Sequence, residues 1–173
     1  MLDGKGGNAY VRDIFYRGHV THFWHTNIIS YENRPFKDAE EMNAHMIKAW
    51  NDTVGKHDKV YHLGDFAFGT KEVMAEIAKQ LKGRKMLIYG NHDHRSPDYF
   101  RSIGFQEVSK YPIIIHKKYI LSHAPLQMSV HSQFTNIHGH IHDKTMGTLK
   151  HINVGVERTH YRPVLLEELG EIR

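Results

Sequence analysis

The sequence predicts an α/β domain in which two β-sheets pack together with helices outside. The first half alternates short apolar segments with amphipathic ones, which is typical of strands alternating with helices, whereas the second half reads as mainly antiparallel strands. With 173 residues, 40% hydrophobic and 24% charged, the chain is long enough for one core. We therefore expect a single domain over residues 13–173, preceded by a Gly-rich, polar, flexible leader over residues 1–12.

The first half begins with a strand at residues 14–16 that runs toward His22, followed by a loop over residues 23–35. Asp38 then looks like a helix N-cap with Glu41 as its capping-box partner, and an apolar face follows at helical spacing, formed by Met42, Met46, Ala49 and Trp50. Strands are predicted at residues 59–63 and 84–89, with a helix starting at Thr70 between them.

The second half opens with Ser96 and Pro97, a favourable N-cap and first position for a short helix that stops at Gly104. Strands are then predicted at residues 105–108, 113–116, 119–122, 136–140 and 151–154, with Lys117-Lys118 as a hairpin tip. Residues 163–169 fit either a helical turn or a last strand.

Composition narrows the function classes. The net charge of +4 permits phosphate-bearing ligands without requiring nucleic acid. The absence of Cys excludes disulfides and thiolate metal sites. No apolar run approaches the ~20 residues of a membrane span, and the N-terminal segment lacks the apolar stretch of a signal peptide. We expect a cytoplasmic protein.

Four polar clusters lie at the ends of predicted strands: Gly64-Asp65, Gly90-Asn91-His92-Asp93, Ser122-His123, and the segment 138–142 with its three His residues. Asn91 offers a neutral oxygen ligand, and His92 can carry a proton near neutral pH. Asp93 could hold the His92 ring in one tautomer and keep it charged. Polar groups that converge at adjacent strand ends are what metal chemistry requires, so these clusters predict a metal site.

Each cluster taken alone also has a purely structural explanation. Asp65 could cap a turn, and His123 could be a satisfied core histidine. His140 and His142, two apart on a strand, would face the same side about 6.6 Å apart, within reach of two ions ~3.5–4 Å apart; an exposed His-rich strand end is the alternative. His138 is the least favoured ligand of this segment.

The order of these motifs resembles the calcineurin-like metallophosphoesterases, in particular the small single-domain bacterial and phage type. The segments 31–36 (YENRPF), 61–66 (YHLGDF) and 161–164 (YRPV) extend the resemblance. It implies a four-layer αββα sandwich of two mixed β-sheets flanked by helices, with two divalent metal ions at the strand ends. Mn²⁺ is favoured, because a mixed His, Asn and carboxylate set suits a borderline-to-hard cation; Zn²⁺, Fe and Ni²⁺ remain open.

Carried over residue by residue, the resemblance assigns one catalytic pair and six metal ligands. His92 resembles the general acid, with Asp93 as its partner, and the nucleophile would be a metal-bridging hydroxide. The residues that look like metal ligands are His22, Asp65, Asn91, His123, His140 and His142.

The family's first motif is Asp-x-His, and here it reads Val20-Thr21-His22. Val20 cannot ligate a metal, so one of the two sites is expected to be weak or empty. His19 is the candidate substitute ligand if the strand end is irregular. His25 and Arg34 are candidate substrate-binding residues, although either could instead pack within the loop.

Three functions follow as hypotheses. The first is a metal-dependent phosphoesterase with an altered first metal site, acting on small phosphate esters and more readily on diesters. The second is a catalytically impaired protein that binds metal and phosphate. The third is a nuclease of the same family, which is not favoured because no tract of interleaved basic and aromatic residues is present. The sequence leaves the oligomeric state open.

Overall fold

The computed structural model describes residues 13–15 and 21–172, with side chains described for 21–170. The predicted leader over residues 1–12 lies outside the described residues, as do His19 and Val20. Of the altered first motif, the structure therefore describes Thr21 and His22.

The first sheet has five strands in the order β4-β3-β2-β1-β9. Its first four strands run parallel, and β9 is antiparallel to β1. The alternation of buried residues along each strand divides the two faces of the sheet: Val60 and Leu87 face one core, while Tyr61 and Met86 face another. The strands are β1 (Asp13–Phe15), β2 (Lys59–His62), β3 (Arg84–Ile88), β4 (Phe105–Ser109) and β9 (Val164–Leu165).

Helices α2 (Ala39–Thr53), α3 (Lys71–Gln80) and α4 (Pro97–Ser102) contribute to the first of these cores. The predicted N-caps Asp38 and Ser96 are confirmed, because their side chains accept hydrogen bonds from the Glu41 and Tyr99 backbone N–H groups. Thr70, where a helix was predicted to start, is the N-cap of α3 and accepts from the Val73 N–H. Of the predicted face of α2, Met42, Met46 and Trp50 are fully enclosed, and Ala49 is half-buried. Trp50 also donates a hydrogen bond from Nε1 to the Lys82 carbonyl at 2.9 Å.

The prediction of a continuous loop over residues 23–35 is wrong, because helix α1 (Thr26–Tyr31) forms within it. The helix has six residues, one buried residue (Ile28), and no side-chain cap. A helix this short shows neither a repeated apolar face nor a cap residue, which are the two signals that sequence reasoning uses.

The second sheet has the order β5-β6-β7-β8. Only β5 and β6 pair antiparallel, whereas β6–β7 and β7–β8 are parallel, so the expectation of a mainly antiparallel second half is wrong. Parallel neighbours need long crossovers; here residues 122–134 and 139–150 supply them without helices, so no helical pattern revealed them. The strands are β5 (Ile113–Ile115), β6 (Tyr119–Leu121), β7 (Thr135–His138) and β8 (His151–Asn153).

The two sheets pack face to face through a second core that includes Leu63, Ile88, Leu121, Ile137 and Val164. Two 3₁₀ helices, Val156–Thr159 and Leu166–Ile172, accompany the last strands. The fold class is therefore confirmed as two mixed sheets flanked by helices. In the part of the chain that the structure describes, no helix combines the length and apolarity needed to cross a membrane.

Candidate metal centre

Four parallel strands end at one edge of the two-sheet sandwich, and each is followed by a polar side chain. Asp65 follows β2, Asn91 follows β3, His123 follows β6 and His140 follows β7. The His123 Nε2 atom is the meeting point. It lies 2.8 Å from Asn91 Oδ1, 3.0 Å from His140 Nδ1 and 3.4 Å from Asp65 Oδ2.

Two glycines allow the ends of β2 and β3 to approach this closely. Gly64 has φ +105°, and a Cβ there would lie 2.3 Å from the Gly90 backbone N. A Cβ on Gly90 would lie 2.2 Å from Asp65 Oδ1. Real Cβ atoms do not tolerate such distances, so both positions require glycine for Asp65 to sit beside the end of β3.

Asp93 links these two strand ends through hydrogen bonds to their backbone. Its buried carboxylate accepts hydrogen bonds from the backbone N–H groups of Asp65 (2.7 Å), Phe66 (3.0 Å) and Gly90 (2.9 Å). Burial raises the pKa of Asp93 to about 6 despite these bonds. The predicted pairing of Asp93 with the His92 ring does not occur: the described hydrogen bonds of Asp93 all go to the backbone, because its carboxylate faces inward between the two turns.

Asp65 is held by the next turn. Its Oδ1 accepts a hydrogen bond from the His92 backbone N–H at 2.8 Å, which leaves Oδ2 facing His123 at 3.4 Å and the His22 Nε2 atom at 4.0 Å. Burial raises the pKa of Asp65. A carboxylate oxygen within 4.0 Å of two imidazole nitrogens from different strand ends suits a ligand shared by two cations.

The protonation of His123 follows from its contacts. Its Nδ1 lies 2.9 Å from the Leu63 carbonyl oxygen, which can only accept, so Nδ1 carries the proton. Burial lowers the pKa of His123 to about 4, so the ring is neutral near pH 7 and its Nε2 presents a lone pair. That lone pair faces the amide oxygen of Asn91 and the carboxylate of Asp65, which are acceptors too.

Acceptor atoms that face one another without a proton between them repel, and a cation removes the repulsion. Two ligands on one ion at bond lengths of ~2.1 Å are separated by ~3.0 Å at a right angle and ~3.4 Å at a tetrahedral angle. Two of the three distances around His123 Nε2, 3.0 Å to His140 and 3.4 Å to Asp65, fall in this range, and the 2.8 Å to Asn91 lies just below it. Within the described residues, Asp65, His123 and His140 are the group of at least three candidate ligands whose atoms all lie within 4.8 Å of one another. The residues present therefore fit a divalent metal ion.

The predicted ligands of the second ion form pairs rather than a compact group. His22 is 2% exposed, and its Nδ1 is buried without a hydrogen-bond partner among the described residues. Burial, followed by the charge of Arg34, lowers the pKa of His22. The His22 ring is parallel to the His142 ring at a centroid distance of 6.1 Å. Both rings lie near Asp65 or the turn that carries it, but their nitrogen atoms do not converge on one point as the ligand atoms around His123 Nε2 do.

Arg34 has a structural role in place of the predicted substrate contact. The residue is 4% exposed, and its guanidinium donates to the Thr21 carbonyl at 3.0 Å and to Glu157 Oε1 at 2.7 and 3.1 Å. A guanidinium enclosed in this way has no face left for a phosphate. Arg34 instead connects the turn after the first strand to the segment after β8.

Glu157 and Glu32 were missed by sequence reasoning. Glu157 Oε1 lies 3.3 Å from His142 Nδ1, and Glu32 Oε1 lies 3.5 Å from His142 Nε2. Burial raises the pKa of Glu157, but the His142 hydrogen bond and the Arg34 charge outweigh it and hold the pKa below its usual value. Glu32 belongs to the segment 31–36 that extends the family resemblance, but no ligand role was assigned to it there, and Glu157 lies in none of the motifs singled out in the sequence.

The histidines of segment 138–142 do not share a strand face as their spacing suggested. Strand β7 ends at His138, and His140 and His142 follow in the left-handed conformation, with φ +65° and +52°. His138 is buried and packs on His151, with ring centroids 5.6 Å apart. His140 and His142 are thus presented by a tight turn, which sends one toward His123 and the other toward the glutamates.

An aromatic group borders the site on the side of α1. His25 stacks on Phe68 at 4.1 Å, and Phe68 also contacts the His92 ring at 5.2 Å. His92 itself is exposed and lies 5.5 Å from the His22 ring. Trp24, between His22 and His25, is 39% exposed and adopts φ +61°. His92 is therefore accessible to a substrate, whereas His25 is half-buried, with its Nδ1 atom enclosed.

Comparison with known proteins gives the same family that the motifs suggested. A family model described as calcineurin-like phosphoesterase matches residues 16–171. An uncharacterized protein of Methanocaldococcus jannaschii is 39% identical over 158 residues, which is 85% of this chain and 84% of that protein. The gene 66 protein of Mycobacterium phage L5 is 37% identical over 79 residues, 44% of this chain and 38% of that protein.

A solved structure of a protein of unknown function from Aquifex aeolicus covers 95% of this chain and all of its own, with a TM-score of 0.72 and 27% identity. The family match spans nearly all of the described residues and includes every strand end that carries a candidate ligand. On this match, the chain belongs to the calcineurin-like phosphoesterase family.

Proposed function

We propose that the protein is a metal-dependent phosphoesterase that hydrolyses small phosphodiesters, with Mn²⁺ as the preferred ion. The observation that carries the proposal is the convergence of Asp65 Oδ2, Asn91 Oδ1 and His140 Nδ1 on His123 Nε2. Such a cluster needs a cation, and it lies at an open edge where a phosphate ester can reach it. When bound, divalent ions supply an activated water nucleophile and neutralise charge on the phosphate oxygens.

The protein's own part in the reaction is to orient these ligands and to deliver a proton. The backbone of His92 is tied to Asp65 Oδ1, and its exposed ring is flanked by Phe68 and His22. We propose that a ring nitrogen of His92 gives its proton to the leaving oxygen as the P–O bond breaks. The half-buried ring of His25 is proposed to contact the substrate on the same side.

Hydrolysis of bis-p-nitrophenyl phosphate by the unmodified chain, with added Mn²⁺ and with EDTA as the control, tests the proposal. We expect turnover that requires Mn²⁺ and stops in EDTA. The same assay with Zn²⁺, Fe²⁺ and Ni²⁺ ranks the metals, and p-nitrophenyl phosphate distinguishes monoester from diester preference. A folded sample that binds Mn²⁺ but shows no turnover with either substrate would contradict the enzymatic proposal.

The composition of the second site favours one alternative. Val20 provides no ligand, and the described residues give a compact ligand group around His123 alone. A protein that holds one ion and a phosphate group without appreciable turnover fits these two facts. Val20→Asp discriminates, because a limiting carboxylate predicts a rise in both metal affinity and rate. Equal rates in the two forms would show that position 20 does not limit catalysis.

The role of His92 is tested by His92→Asn. An acid that protonates the leaving oxygen matters most when that oxygen is a strong base, so we expect the rate to fall further for alkyl esters than for nitrophenyl esters. Metal content should be unchanged. A loss of bound Mn²⁺ in this variant would make His92 a ligand or a structural support instead of the acid.

A further inference from the structure

Glu32 lies at the end of α1, at the rim of the proposed metal centre. Its backbone N–H donates to the Ile28 carbonyl at 3.0 Å, which fixes its place at the helix end. Arg34, two residues later, is anchored in the interior. The Glu32 side chain is 23% exposed, and its Oε1 lies 3.5 Å from His142 Nε2. The carboxylate is thus held beside a predicted metal ligand by fixed backbone on both sides.

The Nδ1 atom of His142 has the Glu157 carboxylate as its partner. This nitrogen lies 3.3 Å from Glu157 Oε1, the same oxygen that receives two hydrogen bonds from Arg34. A carboxylate beside one imidazole nitrogen holds the proton there and directs the lone pair of the other nitrogen outward, as in many histidines that bind metals. When Nδ1 donates to Glu157 and the ring carries a single proton, as it must to bind a metal, Nε2 presents its lone pair toward the Glu32 carboxylate.

This arrangement repeats the one around His123. In both places an imidazole is fixed by an acceptor at Nδ1, and its Nε2 faces a side-chain oxygen. The separation of 3.5 Å between His142 Nε2 and Glu32 Oε1 is close to the ~3.4 Å expected for two ligands of one ion at a tetrahedral angle. Arg34 and Glu157 neutralise each other, so Glu32 is the carboxylate whose charge is available to a cation.

We propose that Glu32 provides the carboxylate ligand of the second divalent ion, in place of the one that Val20 cannot supply. The inference rests on the proposed function, since it assumes that the centre binds two ions. His142 and Glu32 bind the ion from the α1 side, His22 and the shared Asp65 complete its ligands, and Glu157 acts as a positioning residue for His142.

The test measures metal binding directly. Metal-free protein is dialysed against Mn²⁺ over a range of concentrations, and the bound metal per chain is determined by mass spectrometry for the wild type, Glu32→Gln and Glu40→Gln. Glu40 is an exposed residue of α2 and is the matched control. We expect two bound ions in the wild type and the control, and in Glu32→Gln an at least tenfold weaker second ion with the first unchanged.

A rescue experiment identifies which carboxylate Glu32 replaces. If Glu32 supplies the ligand missing at position 20, Val20→Asp in the Glu32→Gln background should restore the affinity for the second ion. Failure of this rescue would overturn the replacement. Urea unfolding of each variant without metal confirms that a loss of binding is not a loss of folding.

Four outcomes would overturn the assignment. Unchanged binding of both ions by Glu32→Gln would make Glu32 an ion-pair partner of a doubly protonated His142. Loss of the second ion in His19→Ala, with Glu32→Gln unaffected, would assign the ligand to His19. A wild type that binds a single ion, unaltered by Glu32→Gln, would also refute it while leaving the proposed function intact. Absence of any bound Mn²⁺ would refute both.

Discussion

Replacing Asp93 should destabilise the fold before it affects any chemistry. The Asp93 carboxylate accepts hydrogen bonds from three backbone N–H groups in the turns after β2 and β3, two of them buried and one partly buried, at 2.7 to 3.0 Å. Asp93→Ala leaves all three donors without a partner. Asp93→Asn keeps the shape of the side chain but turns an amide N–H₂ toward at least one of those donors.

The magnitude follows from the number of bonds. A buried donor left unsatisfied costs ~1–3 kcal/mol, and hydrogen bonds to a charged group lie at the upper end of the scale. Part of that loss is offset, because burial of the carboxylate is itself unfavourable, as its raised pKa of about 6 indicates. We expect a decrease in the free energy of unfolding of about 4 kcal/mol for Asp93→Ala and about 2 kcal/mol for Asp93→Asn.

Urea unfolding of the metal-free protein in EDTA at pH 8, where Asp93 is ionised, provides the measurement. Asp98→Asn is the matched control, since Asp98 is an exposed carboxylate of α4. Asp93→Asn should also lower Mn²⁺ affinity, because the turn that carries Asp65 loosens. If both Asp93 variants lower the free energy of unfolding by less than ~0.5 kcal/mol, the range of an ordinary surface substitution, the reasoning is refuted. Asp93 would then be assigned to pairing with the His92 ring, as the sequence suggested.

Two further predictions concern close packing and acid stability. In Gly90→Ala the new Cβ would lie 2.2 Å from Asp65 Oδ1, so Asp65 must move, and the Mn²⁺ affinity should fall at least tenfold in a dialysis assay. Gly170→Ala is the control, because a Cβ there meets nothing within 4 Å, and its Mn²⁺ affinity should equal that of the wild type. Equal Mn²⁺ affinities of Gly90→Ala and the wild type would contradict the packing argument. His62 is fully buried, and burial lowers its pKa from 6.5 to about 3. Between these two values the unfolded chain binds a proton that the folded chain does not, so the free energy of unfolding decreases as the pH is lowered from 6.5 toward 3. The stability difference between the metal-free wild type and His62→Gln should therefore shrink by about 2 kcal/mol from pH 7 to pH 5, as measured by urea unfolding; a constant difference would show that His62 does not titrate on unfolding.

Elements with a strong local signal were predictable from the sequence. The N-caps Asp38 and Ser96, the helix start at Thr70 and the apolar face of α2 all rest on residues within a few positions of one another, and the structure confirms them. The hairpin between β5 and β6 was predicted for the same reason. The parallel pairing of β6, β7 and β8 was not, because it depends on crossovers that carry no periodic pattern.

The residues of the candidate metal centre also differ in whether a local sequence signal identified them. Asp65, Asn91, His123 and His140 were predictable because each follows a strand within a recognisable motif. Glu157 approaches Arg34 across 123 positions, so nothing local identified it, and Glu32 lies in the segment 31–36 without a predicted strand end or a ligand spacing to distinguish it. The structural role of Asp93 was also hidden, since its hydrogen-bond partners are backbone groups, which no sequence pattern identifies.

The left-handed residues around the centre have a consequence for how this sequence can evolve. His22, Trp24, Asp65, His140 and His142 all have φ between +47° and +65°, a region that costs a non-glycine residue ~1 kcal/mol or more. Four of the five are candidate ligands, so selection for function opposes their replacement. Trp24 has no such constraint, and a glycine would adopt its backbone conformation without that cost. Selection for heat resistance alone should therefore change Trp24 first, and it would reach the ligand positions only in lineages where function is no longer maintained.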